Sequence, residues 1–363
     1  MKYPPIYYSD YLGLDKVLNA QDLKSKEYGK EAHEETLFII THQAYELWFK
    51  QILHEIKSVN VLISENPVNP NSLGIINHRL NRIVQIQKVL NEQLTIMETM
   101  SSSEFMEFRD YLVPASGFQS VQFRKIEIML GLKQKYRLGI DKQFFNARLR
   151  EEDKKDLLAL EEEPTLLENI EKWLERMPFG TSKKYDFWNE YQNAINSMLQ
   201  SDKEVIENNQ TLHPKEKEFE LNNLDSTKKS FDILFDDESY KKLYQNNEFR
   251  LSQNAKLAAI FIQLFRHEPI FQAPYRLLTC LVDIDELFST WRYRHAIMVH
   301  RMLGTKIGTG GSSGHEYLKK STENNRVFKD FFDLATFLIP NSYVPELPAS
   351  IKKHLGFSFK SSD

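Results

Sequence analysis

A histidine lies within an apolar stripe of a long helical pattern. Leu287, Trp291, His295, Met298 and Met302 recur at steps of four or three residues, which places them on one face of an α-helix. Burying an imidazole without a hydrogen bond or a metal costs on the order of 1–3 kcal/mol. The position therefore suits either a core histidine satisfied by hydrogen bonds or an axial ligand of a haem iron surrounded by Trp and Met.

A loop of glycine, serine and threonine follows this stripe at Gly308–Gly314 (GTGGSSG). Its glycines permit positive φ and close approach of the backbone to a ligand, at an entropic cost. No Lys-Ser or Lys-Thr follows the last glycine and no strand precedes the loop, which excludes a P-loop and a dinucleotide fingerprint. A helical pattern resumes at His315 and continues to Ile339. We interpret the loop as a tight connection whose amides and hydroxyls could hold the charged end of a small ligand, with a flexible linker as the alternative.

A second histidine, His42, lies among aromatic residues. Phe38, His42, Tyr45 and Phe49 share one face of a predicted helix, at spacings of four, three and four residues. His42 and Glu46 are also four residues apart, as in carboxylate-bridged di-metal bundles. Those bundles require two Glu-x-x-His motifs, and the sequence contains none, so we discount that interpretation.

The stretch from Phe105 to Ile128 contains a polar corner. Arg109 follows Phe105 by four residues, and its planar guanidinium suits a carboxylate ligand, although a surface arginine is the alternative. Ser116 and Gln119 have the spacing of a capping box, which predicts a new helix running toward Ile128.

Long helical patterns must position these side chains. One helix is predicted from Glu34 to Ile63 and a second from about Leu73 to Met100, which indicates long antiparallel helices. The charged stretches Arg148–Glu163 and Lys215–Lys242 predict solvated helices, within a charged helical excursion covering about residues 142–256. Alternating apolar and polar runs are missing, so the predicted fold class is all-α, a helical bundle.

The composition describes a globular chain. It has 363 residues, of which 41% are hydrophobic and 27% charged, enough to bury a full core. The formal net charge is -4 with both signs interspersed, so nothing favours nucleic acid or an anionic membrane as a partner. No apolar run has membrane-spanning length, and the N-terminus lacks the pattern of a signal peptide. The single cysteine, Cys280, excludes internal disulfides. These features predict a cytoplasmic protein.

Several blocks of the sequence resemble the tryptophan 2,3-dioxygenase family. The longest are Phe38–Lys50 (FIITHQAYELWFK), Phe108–Arg124 (FRDYLVPASGFQSVQFR) and Trp291–Gly314 (WRYRHAIMVHRMLGTKIGTGGSSG). Near the N-terminus, Tyr8–Leu12 and Val17–Gln21 continue the resemblance. It spans nearly the whole chain, and the charged middle contributes least.

This resemblance implies a mostly helical homotetramer with one haem b per subunit. Each subunit would insert both atoms of O2 across the indole C2=C3 bond of L-tryptophan and release N-formylkynurenine, the first step of the kynurenine pathway. The chain would form a single helical haem-dioxygenase domain over residues 1–363, with an N-terminal arm over residues 1–30.

The resemblance also implies roles for individual residues. His295 becomes the proximal ligand of the haem iron, with Trp291 packed near it. His42 becomes the distal histidine, the candidate catalytic residue, facing the indole N–H. Arg109 would pair with the substrate carboxylate, and Thr309 in the glycine loop would bind the ammonium or the carboxylate.

The remaining implied positions surround the substrate and the haem. The indole would be walled by Phe38, Phe105 and Leu112. Ser116, with Gly117, would lie near the haem edge. Tyr8 and Tyr11 would enter the site from a neighbouring subunit. Three alternatives stay open: a haem sensor without turnover, a structural bundle, and a relative that oxidises another indole.

Overall fold

The computed structural model describes residues 3–137, 149–177, 181–182, 185–304, 306 and 325–355. In the N-terminal part the α-helices are α1 (Tyr8–Leu12), α2 (Leu14–Leu18), α3 (Lys24–Tyr28), α4 (His33–Ile63), α5 (Pro70–Met97), α6 (Ser102–Met106) and α7 (Val121–Leu130). They continue with α8 (Glu151–Glu161), α9 (Leu166–Glu175), α10 (Phe187–Asn208), α11 (Pro214–Phe235), α12 (Asp237–Gln245), α13 (Gln253–Leu264), α14 (Gln272–Leu303), α15 (Lys329–Phe332) and α16 (Ala349–Leu355).

Short elements join these helices. The 3-10 helices are Arg109–Leu112, Gly117–Gln119, Gln134–Tyr136, Pro269–Phe271 and Asp333–Phe337. The strands β1 (Thr181–Ser182) and β2 (Tyr185–Asp186) form an antiparallel hairpin in which Thr181 pairs with Asp186. Because each strand has two residues, the all-α prediction is confirmed for the described part of the chain.

Three long helices, α4, α5 and α14, form the centre of the fold, and α5 packs against both of the others. The Tyr45 hydroxyl on α4 donates to the carbonyl of Leu90 on α5 at 2.7 Å. The Asn91 amide on α5 donates to the carbonyl of Leu287 on α14 at 3.1 Å. These buried polar contacts supplement apolar packing and set the relative positions of the helices that carry the two histidines.

The structure confirms both predicted N-terminal helices, but the second runs from Pro70 to Met97 rather than from about Leu73 to Met100. α4 ends at Ile63 as predicted. α5 begins at Pro70 rather than near Leu73, because the Asn69 side chain accepts a hydrogen bond from the Asn71 amide at 3.0 Å and proline suits the first helical position.

The Ser116 capping box also differs from the prediction. The box is present, but it opens only the 3-10 helix Gly117–Gln119. Ser120 supplies the cap of α7, because its hydroxyl accepts from the Phe123 amide at 3.2 Å. The turn between residues 113 and 120 therefore contains two successive caps, Ser116 and Ser120, before α7 begins.

The buried apolar side chains of the described residues form one large cluster and a small second one of Ile128, Leu149 and Leu157. The charged middle of the chain contributes unequally to the large cluster. α9 packs on α4 and α13, whereas α11 buries only Phe231 and Leu234. Among the described helices, none combines the length and the apolar character needed to cross a lipid bilayer.

Candidate active site

His295 lies on α14 against a parallel tryptophan ring. The His295 and Trp291 ring centroids are 5.1 Å apart and the rings are inclined by 9°. The imidazole keeps some solvent access, but its Nδ1 is buried and has no hydrogen-bond partner among the described residues. Burial, together with a smaller effect of the charge of His42, lowers the pKa of His295 to about 4. The ring is therefore neutral near pH 7, the form that binds a metal.

His42 lies on α4 with a fixed tautomer. Its Nδ1 is 2.7 Å from the carbonyl oxygen of Phe38. Because a carbonyl only accepts, Nδ1 carries the hydrogen and Nε2 presents a lone pair. The side chain is solvent-accessible, yet it lies deep enough among protein atoms that desolvation lowers its pKa. His42 can thus accept a hydrogen bond through Nε2 at neutral pH.

The fold brings the two predicted histidines together. They lie 253 positions apart in the chain, yet Tyr45, three residues after His42 on α4, contacts Trp291, four residues before His295 on α14, with the ring centroids 6.0 Å apart. α5 packs against both helices. The arrangement pairs one neutral imidazole beside an indole ring with another beside a group of phenylalanines.

That phenylalanine group consists of Phe38, Phe105 and Phe108. Their ring centroids are 5.4–5.7 Å apart. Phe38 also contacts the His42 ring, at 4.2 Å between centroids. Phe105 and Phe108 are buried, and Phe38 is half-buried. The group forms an apolar wall next to the His42 ring, and an apolar wall beside a hydrogen-bond acceptor suits a flat aromatic ligand with an N–H donor.

Arg109 follows this wall in the 3-10 helix Arg109–Leu112. Its side chain is 17% exposed, and its ion pair with Asp110 at 3.8 Å is weak because the Asp110 side chain is 87% exposed. α3 packs against the 3-10 helix, and a Cβ at Gly29 would lie 2.6 Å from the Tyr111 hydroxyl. The close approach at Gly29 holds the Arg109 turn against the N-terminal part of the chain.

Among the described residues, no three His, Cys, Asp or Glu side chains are grouped so that they could hold a metal ion. The described residues therefore offer His295 no companion ligands of these types for a bare metal ion. An iron porphyrin brings most of its own ligands and needs one axial imidazole from the protein. The neutral His295 ring, with its parallel indole neighbour, fits that requirement.

Comparison with known sequences identifies the family. The sequence model described as tryptophan 2,3-dioxygenase matches residues 3–338. The chain belongs to the tryptophan 2,3-dioxygenase family. It is 53% identical to the tryptophan 2,3-dioxygenase of Alteromonas mediterranea, over 97% of this chain and 98% of that protein. It is 50% identical to that of Bdellovibrio bacteriovorus, over 99% and 100%. It is 44% identical to that of Dictyostelium discoideum, over 98% and 89%.

The other residues that the family resemblance predicts at the site do not share one environment in the structure. Leu112 is half-buried and packs against the main core. Ser116 and Gly117 form the turn before α7, where Gly117 is exposed and a Cβ there would meet open space. Thr309 lies outside the described residues.

Tyr8 and Tyr11 lie on α1, whereas the sequence showed no helical pattern there. Their side chains are 74% and 73% exposed, and α1 packs mainly against α2 within the chain. Within one described subunit, therefore, neither tyrosine is buried at the candidate site.

Sequence reasoning missed the aromatic support beneath Trp291. Phe123 of α7 lies 5.3 Å from the Trp291 ring, and Tyr45 of α4 lies 6.0 Å from it. Phe49 contacts both of these supporting rings. The spacing places Tyr45 and Phe49 on the same helix face as His42 but does not reveal that this face packs toward Trp291. In the sequence, Phe123 is only one apolar residue of the segment Phe108–Arg124, which resembles the family.

Proposed function

We propose that the protein is a haem-dependent dioxygenase that inserts both atoms of O2 across the indole C2=C3 bond of L-tryptophan and releases N-formylkynurenine, the first step of the kynurenine pathway. The observation that carries the proposal is a chain of this family with one neutral imidazole, His295, stacked on Trp291 and a second, His42, against Phe38. His295 is suited to bind an iron, and His42 is suited to accept a hydrogen bond from an indole N–H.

His295 would hold the cofactor, haem b at one per subunit, by binding its iron. When bound, the haem supplies the redox-active iron that makes O2 reactive. The protein supplies the ligand, its orientation and its surroundings. Trp291 covers one side of the imidazole, and the polar turn at Ser116 and Gly117 would lie at the haem edge.

His42 would orient the substrate. Its Nδ1–H is committed to the Phe38 carbonyl, so only Nε2 is available to accept from the indole N–H. This hydrogen bond would fix the indole in its plane against Phe38, Phe105 and Leu112. Fixing the reacting carbons in one geometry removes much of the entropic cost of the reaction. Because the lowered pKa keeps His42 neutral, the acceptor is present at neutral pH.

The amino-acid end of the substrate would be held by charge. Arg109, largely buried and next to Phe108, would bind the carboxylate through its planar fork. Thr309 in the glycine loop would bind the ammonium or the carboxylate. An apolar slot alone discriminates weakly among indoles, whereas a buried polar clamp rejects ligands that lack its partner. Selectivity for L-tryptophan would therefore come from this clamp.

Exposed apolar side chains support assembly into a homotetramer. Tyr8 and Tyr11 are largely exposed in the single chain, where they contribute little to its core. Further exposed apolar residues lie on α5 and α14, namely Val89, Ile96, Tyr293 and Ile297. We propose that the arm over residues 1–30 of one subunit reaches the site of a neighbour, which Tyr8 and Tyr11 would help to close.

Two further properties complete the proposal. The chain would form one domain over residues 1–363, which the large continuous core of the described part supports. It would act in the cytoplasm. Burial raises the pKa of the Cys280 thiol to about 11, so this thiol is little ionised near neutral pH.

The test is turnover by the purified protein. The haem-loaded protein, reduced and supplied with L-tryptophan and air, is expected to show an intense Soret band and to consume one O2 for each N-formylkynurenine formed. A matched incubation under nitrogen controls for non-oxygenase chemistry. A protein without haem, or a haem protein that leaves L-tryptophan unchanged, would overturn the proposal.

A further inference from the structure

A buried ion cluster lies beside the candidate haem ligand. Glu127 of α7 accepts from Arg292 of α14 at 2.6 Å and from Arg137 at 2.8 Å. The three side chains are between 1% and 7% exposed. Burial alone would raise the pKa of Glu127, but the two arginines together lower it. Glu127 is thus a buried carboxylate shared by two guanidinium groups.

α7 contacts two consecutive residues of the histidine-bearing helix α14, Trp291 and Arg292. Glu127 binds Arg292, and Phe123, one helical turn earlier on α7, packs on Trp291 at 5.3 Å. The Arg292 guanidinium also lies 5.9 Å from the Phe123 ring. Trp291 and Arg292 precede His295 by four and three residues, so both belong to the helical turn on which the imidazole depends.

Arg292 binds two different partners with its two terminal nitrogens. One donates to Glu127, and the other donates to the carbonyl of Asn325 at 3.1 Å. Asp285, two turns earlier on α14, accepts from the amides of Val327 and Phe328 at 2.9 and 3.0 Å. The returning chain at residues 325–328 is therefore fixed to α14. A lysine at position 292 could not span both of its partners with the same rigid geometry.

We propose that Glu127 and Arg292, together with Phe123, are positioning residues that fix the rotation of α14 so that His295 presents its imidazole to the haem iron. The inference rests on the proposed function. Because an unpaired buried charge is costly, α14 has one favoured rotation, the one that places Arg292 on Glu127. None of the three residues touches the reacting atoms in this role. They act through Trp291 and the helix backbone.

Two matched variants test this role. Arg292→Lys and Arg137→Lys make the same chemical change, keep the positive charge and affect the same carboxylate. Only Arg292 lies on the histidine-bearing helix. The measurements are the rate of haem transfer to an excess of a haem-scavenging apoprotein, the Soret spectrum and the iron midpoint potential, with the thermal midpoint of each variant as the stability readout.

Arg292→Lys is expected to release haem about 10-fold faster or more, the usual effect of losing a residue that orients a metal ligand, with a shifted Soret band and potential. Arg137→Lys is expected to lose thermal stability but to keep the wild-type haem release and spectrum. Equal effects of the two variants on haem release, spectrum and potential would overturn the positioning role and leave a purely structural one.

Phe123→Leu keeps the test decisive if Arg292→Lys does not fold. This variant keeps the hydrogen bonds of Glu127 and removes the contacts of the Phe123 ring, among them those with Trp291 and Phe288 of α14, so it too is expected to accelerate haem release. Unchanged release in Phe123→Leu would overturn the role in that case. A wild-type protein that binds no haem would refute the proposed function, whereas a haem-loaded wild type with unaffected variants would refute the positioning role alone.

Discussion

His295→Leu should stabilise the haem-free protein while abolishing haem binding. The Nδ1 atom of His295 is buried without a hydrogen-bond partner among the described residues, and an unsatisfied buried polar group costs about 1–3 kcal/mol. Leucine has a similar volume and no polar atom. We therefore expect the free energy of unfolding of the haem-free variant at pH 7 to rise by about that 1–3 kcal/mol, and its Soret band to disappear.

The difference should grow in acid. The pKa of His295 is about 4 in the folded protein against 6.5 for an ordinary histidine. Between these values the unfolded chain binds a proton that the folded chain does not, so the stability present above pH 6.5 is lost as the pH falls toward 4. The loss amounts to about 3 kcal/mol at 1.36 kcal/mol per unit. His295→Leu has no such group and should not show this part of the decline.

Urea unfolding of the haem-free proteins at several pH values measures both effects. Leucine also favours helices more than histidine does. His54→Leu, at an exposed position on α4, is the matched control for that difference. After the change seen in His54→Leu is subtracted, an unaltered or lower stability of His295→Leu would refute the reasoning. Retention of stoichiometric haem would show that another residue is the ligand.

Other predictions address the substrate and the assembly. Arg109→Ala should keep its haem but weaken L-tryptophan binding about 30-fold to several thousand-fold, and Arg109→Lys should also bind weakly because a point charge cannot replace the fork. Spectral titration with L-tryptophan checks this, and near wild-type affinity would disprove the clamp. His42→Ala should lower kcat without eliminating turnover, since its role is orientation. Complete loss with normal binding would mark His42 as an obligatory base. Deleting residues 1–12 should spare haem binding and remove most activity, and mixing with inactive full-length Arg109→Ala should restore some turnover. Full activity of the truncated protein alone would exclude a shared site.

The long helices could be predicted because their signals are local. The apolar periodicity of α4 lies within one stretch of sequence, and the predicted end at Ile63 agrees with the structure. The His295 stripe likewise lies within α14, and Met298 and Met302 are buried as its spacing indicates. The helical pattern predicted from His315 to Ile339 is the exception, because its described part, residues 325–339, contains only α15 (Lys329–Phe332) and the 3-10 helix Asp333–Phe337.

Contacts between distant segments could not be predicted in this way. Periodicity gives the face of a helix but not its neighbour, so the spacing that groups Tyr45 with His42 does not predict its contact with Trp291 of α14. The sharing of Glu127 between Arg137 and Arg292 joins three separate segments and leaves no local pattern. The corner before α7 was misjudged because two capping serines, Ser116 and Ser120, follow one another closely.

The central claim, that this chain is a dioxygenase acting on L-tryptophan, is tested most directly by the origin of the oxygen atoms in the product. The reduced, haem-loaded protein is allowed to react with L-tryptophan under 18O2 in ordinary water, and the product is analysed by mass spectrometry. Both added oxygen atoms are expected to carry the label, since both come from one O2 molecule. A product with one labelled oxygen and one oxygen from water, or no oxygenated product, would contradict the claim.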